Sequence, residues 1–482
     1  MDSFVLVIFG ITGNLAQIKL IPALYDMEEK ELLPSTISIL GISRQEKTPE
    51  QLKLYLWETL NSENPNHPHK IEKAVFERLC GKFHFLSGDI LKPDFYPILE
   101  NHLATLKSTG KNIDNRIFYL ATYPDLYETI FNNLKNSRLS SQDNGWTRLI
   151  IEKPFGQNLS SAKNLNSLLH KYFGEDQIYR LDHYLGKETL QNILAFRFGN
   201  ELFEPLINKD YIDHIQITTS EEFGIGKRGG YYDSVGALKD VGQNHLLQML
   251  AFATMDAPSE FSNPAVTKER VKILTSLIPD PEKLVLGQYS GYKNEPKVSP
   301  DSKTNTFFAF KTQINNPRFQ GVPIYIRGGK KLRLNVAEIC VVFKVPLNRL
   351  FSHLGSGNDP NVLIYRIQPN EGIVLKVLTK KPGHETELNE NFMEFCYRHI
   401  KGNHNLLDPH ERLLYDAIRG EQTFFNDAEE VEAEWAFVDK LSSQNPEPIT
   451  YEPGQWGPKE ADDLILMDGR VWIEPSTGFC RI

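Results

Sequence analysis

The opening strand and the turn after it restrict the fold more than any other part of the chain. Phe4 to Phe9 read FVLVIF, apolar and partly β-branched, the pattern of a strand buried on both faces of a parallel sheet. Glycines follow at Gly10 and Gly13. Apolar residues then recur at helical spacing at Leu15, Ile18, Ile21 and Leu24, with Pro22 as an expected kink. Strand, glycine turn and helix in that order begin a βαβ unit, and repeated units build a doubly wound sheet. Further strands are expected in ISILGIS, RIFYLAT (116–122) and TRLIIEKPFG (147–156), with a helix around Leu126 to Leu134 between the last two.

After Leu181 the texture changes. A helix is expected from about Lys187 to Phe198, then the strand IDHIQITTSEE and a glycine-rich turn, GIGKRGGYYD. The segments AEICVVFKV, NVLIYRIQP and GIVLKVLTK alternate like strands, and the last two have no helix between them, which implies antiparallel pairing. A chain of 482 residues exceeds what one hydrophobic core normally supports. We therefore expect an α/β Rossmann-type dinucleotide-binding domain over 1–181, followed by an α+β domain with a large, mainly antiparallel sheet over 182–482. Residues 279–303, rich in Pro, Gly, Ser and charge, are expected to form a surface loop.

Composition excludes several classes. A net charge of −9 with no basic run argues against a nucleic-acid binder. Cys80, Cys340, Cys396 and Cys480 lie far apart, with no C-x-x-C pair, so neither a metal site nor a disulfide framework is expected, and a reducing compartment fits. The first apolar run is too short for a membrane span and lacks a basic leader, so the expectation is a cytoplasmic protein with no membrane partner.

The turn Gly10-Ile11-Thr12-Gly13-Asn14-Leu15 can bring backbone amides close to a pyrophosphate at a helix N-terminus. The second strand ends Gly41-Ile42-Ser43-Arg44-Gln45. An arginine there, without an acidic residue, favours the 2′-phosphate of NADP over the free ribose of NAD.

A second set of reactive groups stands in RLDHYLGKE. If the segment is helical, His183 and Lys187, four apart, converge on one anion, and a phosphate monoester suits them. His245, among Leu246, Leu247, Met249 and Leu250, is expected to be buried, and a buried imidazole needs a partner. Asp182 and Asp240 are the carboxylates on offer. A carboxylate on one ring nitrogen leaves the other basic, so His245 is a better hydroxyl-proton acceptor than a lysine.

Taken together, GITGNLA, EKPFG, RLDHYLGKE, GGYYDSVGALKD-x-x-QNHLLQ, RIQPNEGI and HERLLYDAIRGEQTFF closely resemble the glucose-6-phosphate dehydrogenase family over nearly the whole chain. The resemblance implies oxidation of glucose 6-phosphate at C1 by NADP+, the entry step of the oxidative pentose phosphate pathway. It implies that His245 is the general base and Asp182 its orienting carboxylate. It also implies that His183, Tyr184 and Lys187 hold the sugar phosphate, and that Glu221 and Asp240 bind sugar hydroxyls. Lys19 and Lys330 match substrate lysines. Lys153 and Pro154 match cofactor-site residues, with a cis proline. Assembly as a homodimer or homotetramer through the second domain is likewise implied.

Four positions depart from the family pattern. Asn14 replaces an aspartate, Gln17 a lysine, Tyr123 a proline, and Asn335 a basic substrate-contacting residue. Two alternatives stay open: a catalytically silent sugar-phosphate or NADP sensor, and a dehydrogenase of another hexose phosphate or of free glucose.

Overall fold

The computed structural model describes residues 3–62, 70–108, 114–346, 350–399, 406–475 and 478–480. Contacts group the chain into two units. The first comprises Met1–Gly156, Ser160–Gly186 and Leu407–Ala428, the second Gln157–Leu159, Lys187–Leu406 and Glu429–Ile482.

The first unit is built on six parallel strands: β1 (Val5–Phe9), β2 (Ser38–Ser43), β3 (Phe83–Ser87), β4 (Arg116–Leu120), β5 (Thr147–Glu152) and β6 (Ile178–Leu181). Their order, β3-β2-β1-β4-β5-β6, is that of a dinucleotide-binding sheet. Every residue of β1 and β2 is buried, which explains why their sequences read as unbroken apolar or small runs without alternation.

Sheet and helices meet around buried aromatic and branched residues such as Phe9, Tyr119, Phe131 and Ile150. Burying each such side chain contributes about 1.5 to 3 kcal/mol, so this core carries the unit. Pro22 lies within a continuous helical run over 14–29, directly after a five-residue π-helical turn, Ala16–Leu20, so the irregularity expected at the proline takes the form of a widened turn before it.

The second unit holds a nine-stranded sheet of β7 (Ile212–Ser220), β8 (Leu284–Tyr289), β9 (Phe307–Thr312), β10 (Ile324–Gly329), β11 (Val336–Phe343), β12 (Val362–Gln368), β13 (Gly372–Lys380), β14 (Leu388–Cys396) and β15 (Ile449–Tyr451). The order is β14-β13-β12-β11-β7-β10-β9-β8-β15. Only β7 with β10 and β8 with β15 run parallel; the other pairs are antiparallel, as expected for β11 to β13. The helix Leu247–Thr254 is buried on all sides, and the helix Asn263–Thr275 is fixed by a fully buried Arg270–Glu430 ion pair of 2.7 Å.

Two expectations need correction. Residues 279–303 are not a loop throughout, because β8 lies among them, zipped between β9 and β15; a short strand bounded by Pro and Gly gives too little alternation to read. The segment Leu407–Ala428, far along the chain, has most of its contacts in the first unit.

Cys396 and Cys480 form a disulfide with their Cα atoms 5.3 Å apart, so the expected absence of disulfides fails. Spacing could not reveal it, since the sequence separation is 84 and only folding brings the C-terminal segment onto β14. The Phe479 ring packs against Phe392, tilted by 53° with centroids 4.8 Å apart, beside the bond. Among the described residues, no helix is long and apolar enough to cross a membrane.

Replacing Cys480 by serine should lower stability by about 2 to 4 kcal/mol, because the open chain regains loop entropy. Thermal unfolding checks this without and with reductant: the deficit should vanish when the parent protein is reduced.

Candidate active site

The carboxyl ends of the first unit's strands carry its glycine turn. Gly10 leaves β1 with φ +91°, a conformation that side chains disfavour, and a Cβ there would lie 2.7 Å from the Ala121 carbonyl oxygen. The turn closes by Gly13 N–H donating to the Gly10 carbonyl at 2.9 Å. Gly10, Thr12, Gly13, Ser43, Arg44 and Tyr123 line a cleft of about 380 Å³. Arg44 is exposed at its edge, and Tyr123 is 80% exposed. Asn14 and Leu15 begin the helix beyond the turn. Gln17 folds back to donate to the Thr12 carbonyl at 3.4 Å, so it braces the turn where a lysine would carry charge. A backbone cradle with no room for a side chain and an arginine at the rim fit a dinucleotide phosphate.

Two motifs follow β5 and β6. Glu152 ends β5, and the Lys153–Pro154 bond after it is cis, as the family resemblance implied. After β6 the chain does not continue as a helix, which corrects the helical reading of His183 and Lys187. Asp182, 1% exposed, accepts the Tyr184 N–H at 2.9 Å, and Leu185 N–H donates to the Asp182 carbonyl at 3.0 Å. An aspartate bonding its own backbone two residues on makes a turn, and this turn holds the His183 and Tyr184 rings edge to face at 5.1 Å. Lys187 is extended and precedes the helix Glu188–Phe198. Lys19 lies in the π-helical turn Ala16–Leu20.

In the second unit, Asp240 and His245 both lie in a nine-residue π-helical segment, Leu238–Leu246, and are 8% and 2% exposed. Such wide turns are rare and are frequently found at functional sites. Five residues apart, the two groups stand about one wide turn from each other.

The sequence supports this unusual backbone at both ends. Gly236 takes φ +75°, and Asn305 accepts the Ala237 and Leu238 N–H groups at 2.8 and 2.9 Å, capping the start. At the other end Gln243 and Gln248 donate to the two oxygens of buried Glu434, at 3.1 and 2.8 Å. Asn244 accepts the His245 N–H at 2.7 Å.

Parallel pairing of β7 with β10 matches Ser220 to Gly329, so the residues that follow emerge side by side. They are Glu221 and Lys330, paired at 2.5 Å. The Lys330 ammonium also lies 5.7 Å from the ring centre of Tyr232, a fully buried phenol. Burial, and then the Asp240 and Glu221 carboxylates nearby, push the Tyr232 hydroxyl well above the usual phenol range. Asn335 accepts the Glu222 N–H at 2.8 Å, which gives it a backbone task next to Glu221.

Glu371, on the turn after the cis Gln368–Pro369 bond, accepts the Thr189 N–H at 3.2 Å at the start of the helix Glu188–Phe198. Burial raises its pKa, opposed chiefly by Lys187.

The description "Glucose-6-phosphate dehydrogenase, NAD binding domain" matches residues 7–192, and "Glucose-6-phosphate dehydrogenase, C-terminal domain" matches residues 194–473. The chain belongs to the glucose-6-phosphate dehydrogenase family. It is 40% identical to a glucose-6-phosphate 1-dehydrogenase of Treponema pallidum, over 98% of this chain and 95% of that protein. The enzyme of Bacillus subtilis is 37% identical over 97% and 98%. A glucose-6-phosphate dehydrogenase solved in complex with glucose-6-phosphate superposes with a TM-score of 0.90 at 32% identity, covering 98% of this chain and 99% of that one.

Several supports of this dehydrogenase fold escaped sequence reading: Glu371, Glu434, Asn305 and Tyr232. Their contacts are long-range, and the only sequence signal was that Glu371 lies in RIQPNEGI and Tyr232 in GGYYD.

Glu371 yields a pH prediction. Its folded pKa lies above its ordinary value of 4.5, so the folded form binds the proton more tightly and stability falls as pH rises through that interval. Glu371→Gln removes that loss. Its melting temperature should therefore gain on the parent's as pH rises from 4 to 8.

Proposed function

We propose that this member of the family oxidises D-glucose 6-phosphate at C1 to 6-phospho-D-glucono-1,5-lactone with NADP+, the first step of the oxidative pentose phosphate pathway. The observation that carries the reading is His245, buried and braced in a π-helical turn one wide turn from Asp240. A binding protein with no chemistry has no need of a positioned base, which weighs against a silent sensor.

In this reading the amides of Gly10, Thr12, Gly13, Asn14 and Leu15 hold the cofactor's pyrophosphate, and Arg44 holds its 2′-phosphate. Lys153 and Pro154 support the same ligand. NADP+, when bound, accepts a hydride from the sugar. His183, Tyr184 and Lys187 hold the sugar phosphate, with Lys19 and Lys330 adding positive charge to an otherwise acidic protein. Glu221 and Asp240 orient the hydroxyls. His245 takes the proton of the C1 hydroxyl as the C1–H bond breaks. Asp182 holds the imidazole in the tautomer that leaves its reactive nitrogen unprotonated.

The protein is further proposed to act as a homodimer or homotetramer through its second unit. Support comes from β14, the edge strand of the nine-stranded sheet, which exposes Phe392, Met393 and Phe395. Charged, membrane-impermeant reactants support a cytoplasmic location for the proposed reaction. There the burial of Cys396 and Cys480, 6% and 2% exposed, would shield their bond from thiol reductants.

Reduction of NADP+ followed by absorbance, with glucose 6-phosphate, other sugar phosphates and glucose, tests the reaction. Turnover is expected with glucose 6-phosphate, and none with any sugar would leave the sensor reading. His245→Asn should lower kcat by about 10²- to 10⁴-fold while glucose 6-phosphate still binds in calorimetry. Arg44→Ala should raise the Michaelis constant for NADP+ about tenfold or more and leave that for NAD+ nearly unchanged.

A further inference from the structure

The helix Pro409–Arg419 lies within the first unit, although more than two hundred residues separate it from the rest of that unit in sequence. Its first two residues touch the two ligand turns described above. Asp408 caps it, accepting the His410 N–H at 2.9 Å, and this fixes the direction in which His410 enters the unit.

His410 is 5% exposed, and its Nε2 lies 3.0 Å from Oε1 of Glu152. The hydroxyl of Tyr119, on β4 and fully buried, donates to the same oxygen at 2.5 Å and lies 3.3 Å from the His410 ring nitrogen. Burial first, and then the Glu152 carboxylate, push the Tyr119 hydroxyl well above the usual phenol range, so it stays a donor. One carboxylate oxygen is thus gripped from two sides. Glu152 is the residue before the cis Lys153–Pro154 step.

The neighbouring residue, Pro409, meets the other turn. A Cβ on Gly186 would come 2.3 Å from the Pro409 carbonyl oxygen and 2.9 Å from its Cα, so at this point backbone lies directly on backbone. Gly186 closes the turn that starts at Asp182 and is followed at once by Lys187. Consecutive residues of one helix start therefore abut both the EKPFG turn and the DHYLGK turn.

We propose that His410 is a positioning residue for the cofactor: through Glu152 it sets the Lys153–Pro154 turn, while Pro409 sets the sugar-phosphate turn at Gly186, so one helix N-terminus holds both ligand turns in register. The proposal rests on the reading of Lys153 and Pro154 as cofactor contacts and of Asp182–Lys187 as the sugar-phosphate turn. A buried hydrogen bond that served stability alone would leave the ligand constants of the folded enzyme untouched. One that sets a binding turn will not.

The test uses the full chain and direct NADP+ titration by calorimetry, beside turnover and melting temperature. His410→Leu keeps the bulk and removes the N–H donor; its dissociation constant for NADP+ should rise about tenfold. His410→Gln, which restores an N–H donor to Glu152, should recover most of that loss. Tyr119→Phe should shift the constant in the same direction by a smaller factor, and it decides the question if His410→Leu does not fold. Gly186→Ala should raise the Michaelis constant for glucose 6-phosphate more than the dissociation constant of NADP+. NADP+ constants within twofold of the parent in both His410→Leu and Tyr119→Phe, with only the melting temperature lowered, overturn the proposal. A parent that binds NADP+ but turns over no sugar phosphate would instead refute the proposed reaction and leave the NADP+ titrations to judge His410.

Discussion

Parallel strand pairing is the constraint on which the site depends. Strands that run together end together, so whatever follows them arrives at one rim. In the first unit this rule gathers the glycine turn after β1, Arg44 after β2, Tyr123 after β4, and the Lys153 and Asp182 turns after β5 and β6. In the second unit nearly all pairs are antiparallel, yet the parallel pair β7 and β10 is the one whose ends deliver Glu221 and Lys330. The local exception in strand direction is what brings a carboxylate and an ammonium together there.

The other device is the widened helical turn. Lys19 stands in one, and Asp240 and His245 share another. A π-helical turn forfeits favourable backbone geometry, so it persists only where neighbours over-determine it. Here they are Asn305 at one end and the Gln243–Glu434–Gln248 bonds at the other. Polar supports at both ends let the imidazole be buried without leaving the helix around it unsupported.

Much of this was legible in the sequence, for identifiable reasons. The fold class followed from β1 and its glycine turn because a doubly buried strand has a distinctive composition. The expectation of NADP rested on Arg44, just after β2, at the position where dinucleotide folds read the ribose. The burial of His245 could be read from its apolar neighbours, and it is 2% exposed.

What could not be read depends on contacts between distant residues. The four-residue spacing of His183 and Lys187 suggested a helix, but the Asp182 side chain competes for the Tyr184 N–H and makes a turn. The Cys396–Cys480 bond, the strand β8 and the grip of His410 on Glu152 each join residues whose proximity no local pattern encodes. Asn335, which looked like a lost substrate contact, has a partner in the Glu222 amide that only the fold supplies.

The first unit is assembled from three stretches of chain, the last of them Leu407–Ala428. A ribosome emits the first two stretches, ending at Gly186, long before it reaches Leu407. At about 5 to 20 residues per second the nascent nucleotide-binding half waits on the order of ten to fifty seconds for its final helix. During that interval Glu152 lacks His410 and Gly186 lacks Pro409, so this half can complete itself only after most of the other half has been synthesised.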